Sequence, residues 1–119
     1  VKKRILIFDD DKDILQLSKA IFTKDGYEVE TREDCNYMFQ VVSFYKPDLI
    51  IVDHQMPGIT GAEAIEQLKA HDTFKHIPVI YFSSVNDIAE KAKQIHADGY
   101  LQKPAGTTSL LNAVHRLVG

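Results

Sequence analysis

Cysteine is almost missing from this sequence. Cys35 stands alone among 119 residues, so no internal disulfide can form and a cysteine-rich zinc site is excluded. Long apolar runs are missing too: the longest are four residues, far below the roughly 20 that a membrane-spanning helix needs. No signal peptide is visible. Charge of one sign is scarce, since 14 Lys and Arg face 17 Asp and Glu for a formal net charge of −3. Such a balance gives no bulk attraction to nucleic acid or to an anionic membrane surface. Repeats, low-complexity stretches and linkers are absent. A reducing cytoplasm is the compartment these absences imply.

What is present is ordinary globular material, 45% apolar and 26% charged, in a length that predicts one domain over residues 1–119. Ile5-Leu6-Ile7-Phe8, Leu49-Ile50-Ile51-Val52 and Val79-Ile80-Tyr81-Phe82 are continuous apolar runs, the pattern of strands covered by helices on both faces. Tyr27–Thr31 alternates instead, as an edge strand does, and Gly99-Tyr100-Leu101 is a weaker edge candidate. Between the strands come helical stripes. Ile14, Leu15, Ser18, Ile21 and Phe22 form the first, closed by Gly26. Met38, Val41, Val42 and Tyr45 form the second, with Asp34 as the expected N-cap and Pro47 as its stop. Thr60 and Glu63 have capping-box spacing ahead of Ile65 and Leu68. Asn86 is the expected cap of a fourth helix with a thin apolar side, Ile88, Ala89, Ala92 and Ile95. The last helix carries Leu110, Leu111, Val114, Leu117 and Val118. Strict β-α alternation predicts parallel strands joined by right-handed crossovers. With the wholly apolar strands central, the order is 2-1-3-4-5: an α/β, flavodoxin-like, doubly wound sheet with five helices. Ligands of such sheets bind beyond the carboxyl ends of the strands, near the β1/β3 switch point.

Asp9, Asp10 and Asp11 follow strand 1, Asp53 follows strand 3, Ser83 and Ser84 follow strand 4, and Lys103-Pro104 follows strand 5. Three carboxylates from Asp9, Asp10 and Asp53 crowd together only if a proton or cation offsets a repulsion of about 4 kcal/mol per pair at ~4 Å and an effective dielectric near 20. A hard cation with oxygen ligands, Mg²⁺ above all, fits that set. Capping of the first helix is the other use of an aspartate here and is the reading for Asp11. For Asp9 and Asp10 by themselves, capping and metal binding fit equally well. Asp53 stands where a metal-supported carboxylate can attack a phosphoryl group. Lys103 can supply charge and Ser83 a hydroxyl, although each taken alone is also an ordinary solvated lysine or strand-end serine.

With these residues in place, the chain resembles the response-regulator receiver domains of two-component signalling. The resemblance runs through Ile5–Asp11, Pro47–Asp53, Met56-Pro57-Gly58, Gly61, Pro78–Ile80 leading to Ser83, and Asp98–Pro104. It implies that Asp53 is the phosphoacceptor, that Asp9 and Asp10 hold Mg²⁺, and that Gln55 adds its backbone carbonyl. It also implies that Ser83 turns toward the phosphoryl group, that Lys103 pairs with it, that the Lys103-Pro104 bond is cis, and that Tyr100 is an aromatic switch; an ordinary edge-strand aromatic is the alternative for Tyr100. Ser84 stands where alanine is common, and His96 where glycine is frequent. Gln55 and Val85 fall where the family tunes loss of the phosphoryl group, and His54 at a variable position. The expected partners are a histidine kinase or histidine phosphotransfer protein, and an output partner or domain on the helix 4–strand 5–helix 5 face. No output domain, nucleic-acid contact or membrane contact is expected from these residues. His71, His76 and His115 lack ligand spacing and are expected to be solvated, and Cys35 to be structural. Two other functions remain open at this point: a haloacid-dehalogenase-like phosphohydrolase, suggested by the Asp-x-Asp of Asp9–Asp11, and a binding module that works without phosphorylation.

Overall fold

Strands that are apolar on both sides need cover on both sides, and helices that leave a parallel sheet alternately provide it. The structure, a computed structural model describing residues 1–119, has strands β1 (Arg4–Phe8), β2 (Glu28–Arg32), β3 (Leu49–Asp53), β4 (Val79–Ser83) and β5 (Gly99–Gln102). They alternate with helices α1 (Lys12–Lys24), α2 (Met38–Tyr45), α3 (Gly61–Ala70), α4 (Ile88–Gln94) and α5 (Thr107–Val118). Every pairing is parallel and the order is β2-β1-β3-β4-β5, the doubly wound arrangement expected. β3 and β4 are buried along their whole length, whereas β2 is half-exposed and only Leu101 of β5 is buried.

Side chains alternate across each strand, and the two sets build two cores. Leu6, Phe8, Ile50, Val52 and Tyr81 pack with Met38, Val42, Ile65, Leu68 and Ile88 under α2, α3 and α4. On the other face, Ile5, Ile7, Ile51, Ile80 and Phe82 meet Leu15, Phe22, Leu110 and Val114 of α1 and α5. Cys35 is buried with its sulfur 3.7 Å from that of Met56, and burial pushes its thiol up to about 12, so it is an inert part of the core.

Two of the expected caps hold and two do not. The Asp11 side chain accepts from the amides of Asp13 and Ile14, and Thr60 and Glu63 form a reciprocal capping box. Asp34, however, accepts the Asn36 amide at 2.9 Å in a turn ahead of α2, four residues short of Met38 and out of reach of the helix. α2 is entered instead through Tyr37, and α4 through Asp87 rather than Asn86, each at φ +57 with no side-chain cap. One histidine needs correction as well. His71 packs against Phe39 and Phe74, with ring centroids 4.9 and 4.5 Å away. An imidazole has an apolar body that packs as readily as it hydrates. His115 is exposed as expected, and pairs through Nε2 with Asp25 Oδ2 at 2.7 Å. His76 is exposed as expected. His96 is exposed at φ +63, which accounts for a glycine suiting that position.

Asp98, ahead of β5, accepts from the Val79 amide and from Lys69 of α3, tying the amino ends of β4 and β5 to a helix. At the opposite edge, the Gly61 amide donates to the His54 carbonyl at 2.7 Å, closing the start of α3 onto the end of β3. A Cβ on Gly61 would stand 1.8 Å from the Asp53 carbonyl oxygen. Gly61→Ala is therefore expected to lower stability by roughly 1–3 kcal/mol, measured as a lower urea midpoint at unchanged m-value; an unchanged midpoint would contradict this close approach.

Candidate functional site

α1 and α3 leave the carboxyl ends of the adjacent strands β1 and β3 on opposite faces of the sheet. That divergence opens a crevice at the switch point. Asp9 and Asp10 follow β1 and Asp53 ends β3, so the backbone delivers all three carboxylates into it. One oxygen from each lies within 4.8 Å of the others. Asp9 is fully buried, Asp53 is 5% exposed, and Asp10 is exposed.

Lys103 answers part of this charge. Its amide donates to the Ser83 carbonyl at 2.8 Å, which holds the end of β5 beside β4, and its peptide bond to Pro104 is cis. The side chain runs over the ring of Phe82, with Nζ 4.9 Å from the centroid. Nζ then donates to Asp53 Oδ1 at 2.7 Å and to Asp9 Oδ2 at 3.0 Å. Burial alone would lower the Lys103 pKa, but these two carboxylates outweigh it and the pKa rises. For Asp9, burial raises the pKa most. The Asp11 amide, 2.9 Å from Oδ1, and Lys103 pull it down, the charge on Asp53 pushes it up, and the result is a raised value. Asp53 Oδ2 accepts no hydrogen bond within the protein and is left to solvent.

One ammonium among three ionised carboxylates leaves two negative charges in a partly dry crevice. An all-oxygen donor set of this kind matches a hard divalent cation that keeps some of its water. Asp9, Asp10 and Asp53 could thus hold such an ion, and the fit is to that chemistry rather than to a sulfur- or nitrogen-seeking metal.

Ser83 ends β4, fully buried and next to β3. Its hydroxyl accepts the Val85 amide at 3.0 Å. Tyr100 lies across from Tyr81 in the sheet register and is 49% exposed, its ring turned outward. The structure therefore brings Asp9, Asp10, Asp53 and Lys103 into one cluster, sets Ser83 beside it, and leaves Tyr100 at the edge. Gln55 follows β3 and bridges to Thr60 across the β3–α3 loop. Two contacts were not legible in the sequence, the Phe82 ring beneath Lys103 and a hydrogen bond of 2.5 Å between His54 Nδ1 and the Tyr81 hydroxyl. Tyr81 did carry a signal: a tyrosine in an otherwise wholly apolar strand must find a partner for its hydroxyl.

Comparison with known proteins agrees with this geometry. The family model "Response regulator receiver domain" matches residues 5–115. The phosphate regulon transcriptional regulatory protein PhoB of Pseudomonas aeruginosa is 32% identical over 124 residues, covering 100% of this chain and 54% of PhoB. Protein PilG of the same species is 31% identical over 113 residues, 93% of this chain and 84% of PilG. Protein RcaC of Microchaete diplosiphon is 28% identical over 98% of this chain, which spans only 18% of RcaC. Among solved structures, the chemotaxis response regulator CheY4 of Vibrio cholerae superposes with a TM-score of 0.90 at 27% identity, covering 98% of this chain and 99% of that one.

Because the surroundings of Asp9 raise its pKa, the folded state holds the Asp9 proton more tightly than the unfolded state does. Ionised Asp9 therefore costs stability above that raised value, and the cost disappears as pH falls through it. Asp9→Asn is expected to raise the metal-free melting temperature by a few degrees at pH 7, with the gain shrinking on acidification. Thermal unfolding followed by circular dichroism across pH measures this; a variant less stable than the parent at neutral pH would contradict it.

Proposed function

The chain belongs to the response regulator receiver domain family, the phosphoryl-accepting switches of two-component systems, and from that premise we propose that Asp53 is its phosphoacceptor. The observation that carries this reading is the division of labour at the Asp53 carboxyl group. Oδ1 is held by Lys103 while Oδ2 stays open to an incoming group. A phosphohistidine on a histidine kinase or phosphotransfer protein is the donor. Asp53 Oδ2 attacks phosphorus, an O–P bond forms as the P–N bond breaks, and the electron pair of the broken bond returns to the partner's imidazole.

Asp9, Asp10 and Asp53, with the backbone carbonyl of Gln55, would hold Mg²⁺, which would supply positive charge to offset the carboxylate and phosphoryl oxygens. Lys103 keeps its ammonium at the site and pairs with a phosphoryl oxygen. Ser83 turns its hydroxyl from the Val85 amide to donate to another. Tyr100 follows inward into the space that Ser83 vacates. Differential contacts of this kind bias two pre-existing surfaces by about 1–3 kcal/mol, enough for a switch.

The surface that changes is the α4–β5–α5 face. α4 has seven residues and buries only Ile88 and Ala92, so little packing resists its displacement. A groove of about 380 Å³ lies there, lined by Ala89, Lys93, Tyr100, Ala113 and Leu117. Residues 1–119 act as one receiver domain in the cytoplasm, without direct contact to nucleic acid or membrane, and no helix is long and apolar enough to cross a membrane. The domain signals; it phosphorylates and dephosphorylates itself rather than turning over a substrate pool. Neither the phosphohydrolase nor the phosphorylation-independent module is favoured by the family match.

Incubation with acetyl phosphate and Mg²⁺, followed by intact mass, tests the assignment. The expected product carries one added phosphoryl group, formed at least about tenfold more slowly after chelation of the metal. Asp53→Asn is expected to gain nothing; a gain that persists in this variant would place the acceptor elsewhere.

A further inference from the structure

The Gln55 side chain is exposed and buries nothing that would fix the residue, so the place of its backbone is set by what the neighbouring residues hold. Met56, next in the chain, is buried, with its sulfur 3.7 Å from that of Cys35. Across the loop, Gln55 itself bridges to Thr60. On the other side His54 is held twice. Its carbonyl accepts the Gly61 amide at 2.7 Å, and its ring Nδ1 shares a hydrogen bond of 2.5 Å with the Tyr81 hydroxyl, the two rings standing edge to face. The register explains this second contact. Tyr81 is the β4 partner of Val52, so His54, two residues beyond Val52, is its diagonal neighbour on the same face of the sheet. Tyr81 is 1% exposed in the middle of a wholly buried strand, which makes its hydroxyl a rigid point to tie to.

We propose that Tyr81 is a positioning residue for the cation site: its hydroxyl fixes the His54 ring, and through it the stretch of backbone that carries the Gln55 carbonyl. The inference rests on the reading of that carbonyl as a metal ligand given above. Tyr81 touches neither the cation nor a phosphoryl group. A carbonyl already held in place loses little freedom when an ion arrives, whereas a loose one must be ordered at that moment, and the ordering weakens binding.

The test titrates the whole, metal-free chain with Mn²⁺ and follows the free ion by electron paramagnetic resonance. Tyr81→Phe deletes one oxygen and keeps the ring packing. It is expected to weaken Mn²⁺ binding by about two- to tenfold, the span of one neutral hydrogen bond. His54→Leu is expected to weaken it by a similar factor and carries the test if Tyr81→Phe does not fold. The double variant is expected to lose no more than either single one, because both remove the same contact. His54→Asn, whose amide places a hydrogen-bonding atom near the position of Nδ1, is expected to stay within twofold of the parent. Ile80→Val loosens the same strand from the opposite core and is expected to leave affinity unchanged, which a merely structural effect would not. Parent-like affinity in both Tyr81→Phe and His54→Leu overturns the inference, as does an equal loss in Ile80→Val. A parent chain that binds no Mn²⁺ overturns the metal-site reading itself, so the two failures are distinguished.

Discussion

Lys103 Nζ lies 2.7 Å from Asp53 and 3.0 Å from Asp9, and the carboxyl edge of the sheet depends on that ammonium. Two buried carboxylates without it would repel by several kcal/mol at any reasonable effective dielectric, and one of them would take up a proton. With it, Asp53 is oriented by one oxygen and free at the other. A single ammonium does not neutralise three carboxylates, however. The residual negative charge means that the crevice could hold a hard cation, and under the proposed function acceptance of a phosphoryl group would depend on one.

The fold exists in the form that this pair requires. β1 and β3 are neighbours because the chain steps out to β2 and returns, and α1 and α3 then leave on opposite faces. Lys103 reaches Asp53 from two strands away and Asp9 from three because its own amide is tied to the Ser83 carbonyl and its stem lies on Phe82. Gly61 lets α3 start against the Asp53 carbonyl, where a side chain would not fit. Each of these constraints is local, and together they limit where Asp53 can move. The part left loose is α4, whose shallow packing suits an element that reports on the site rather than building it.

Much of this was legible in the residues. The contrast between the apolar runs at Leu49–Val52 and Val79–Phe82 and the alternation at Tyr27–Thr31 carries the strand order, because burial on two faces or one leaves a direct trace in composition. The strand ends then located Asp9, Asp10, Asp53, Ser83 and Lys103. Local turn geometry left a weaker trace. Tyr37 and Asp87 enter their helices at positive φ, a conformation that nothing in their side chains announces, so the neighbouring Asp34 and Asn86 looked like caps. The packing of His71 was hidden for a different reason: whether an imidazole stacks or hydrates is decided by residues distant in sequence, here Phe39. The outward ring of Tyr100 reflects a conformational choice rather than composition.

Everything proposed for this edge requires Asp9, Asp10 and Asp53 to form one binding place for a hard divalent ion. Anomalous diffraction from crystals grown with Mn²⁺ substituted for Mg²⁺ tests it most directly. The expected result is a single strong peak at the carboxyl edge of β1 and β3, bonded to carboxylate oxygens of these residues and to the Gln55 carbonyl. A well-ordered site with no peak there, or a peak held by other residues, would contradict it.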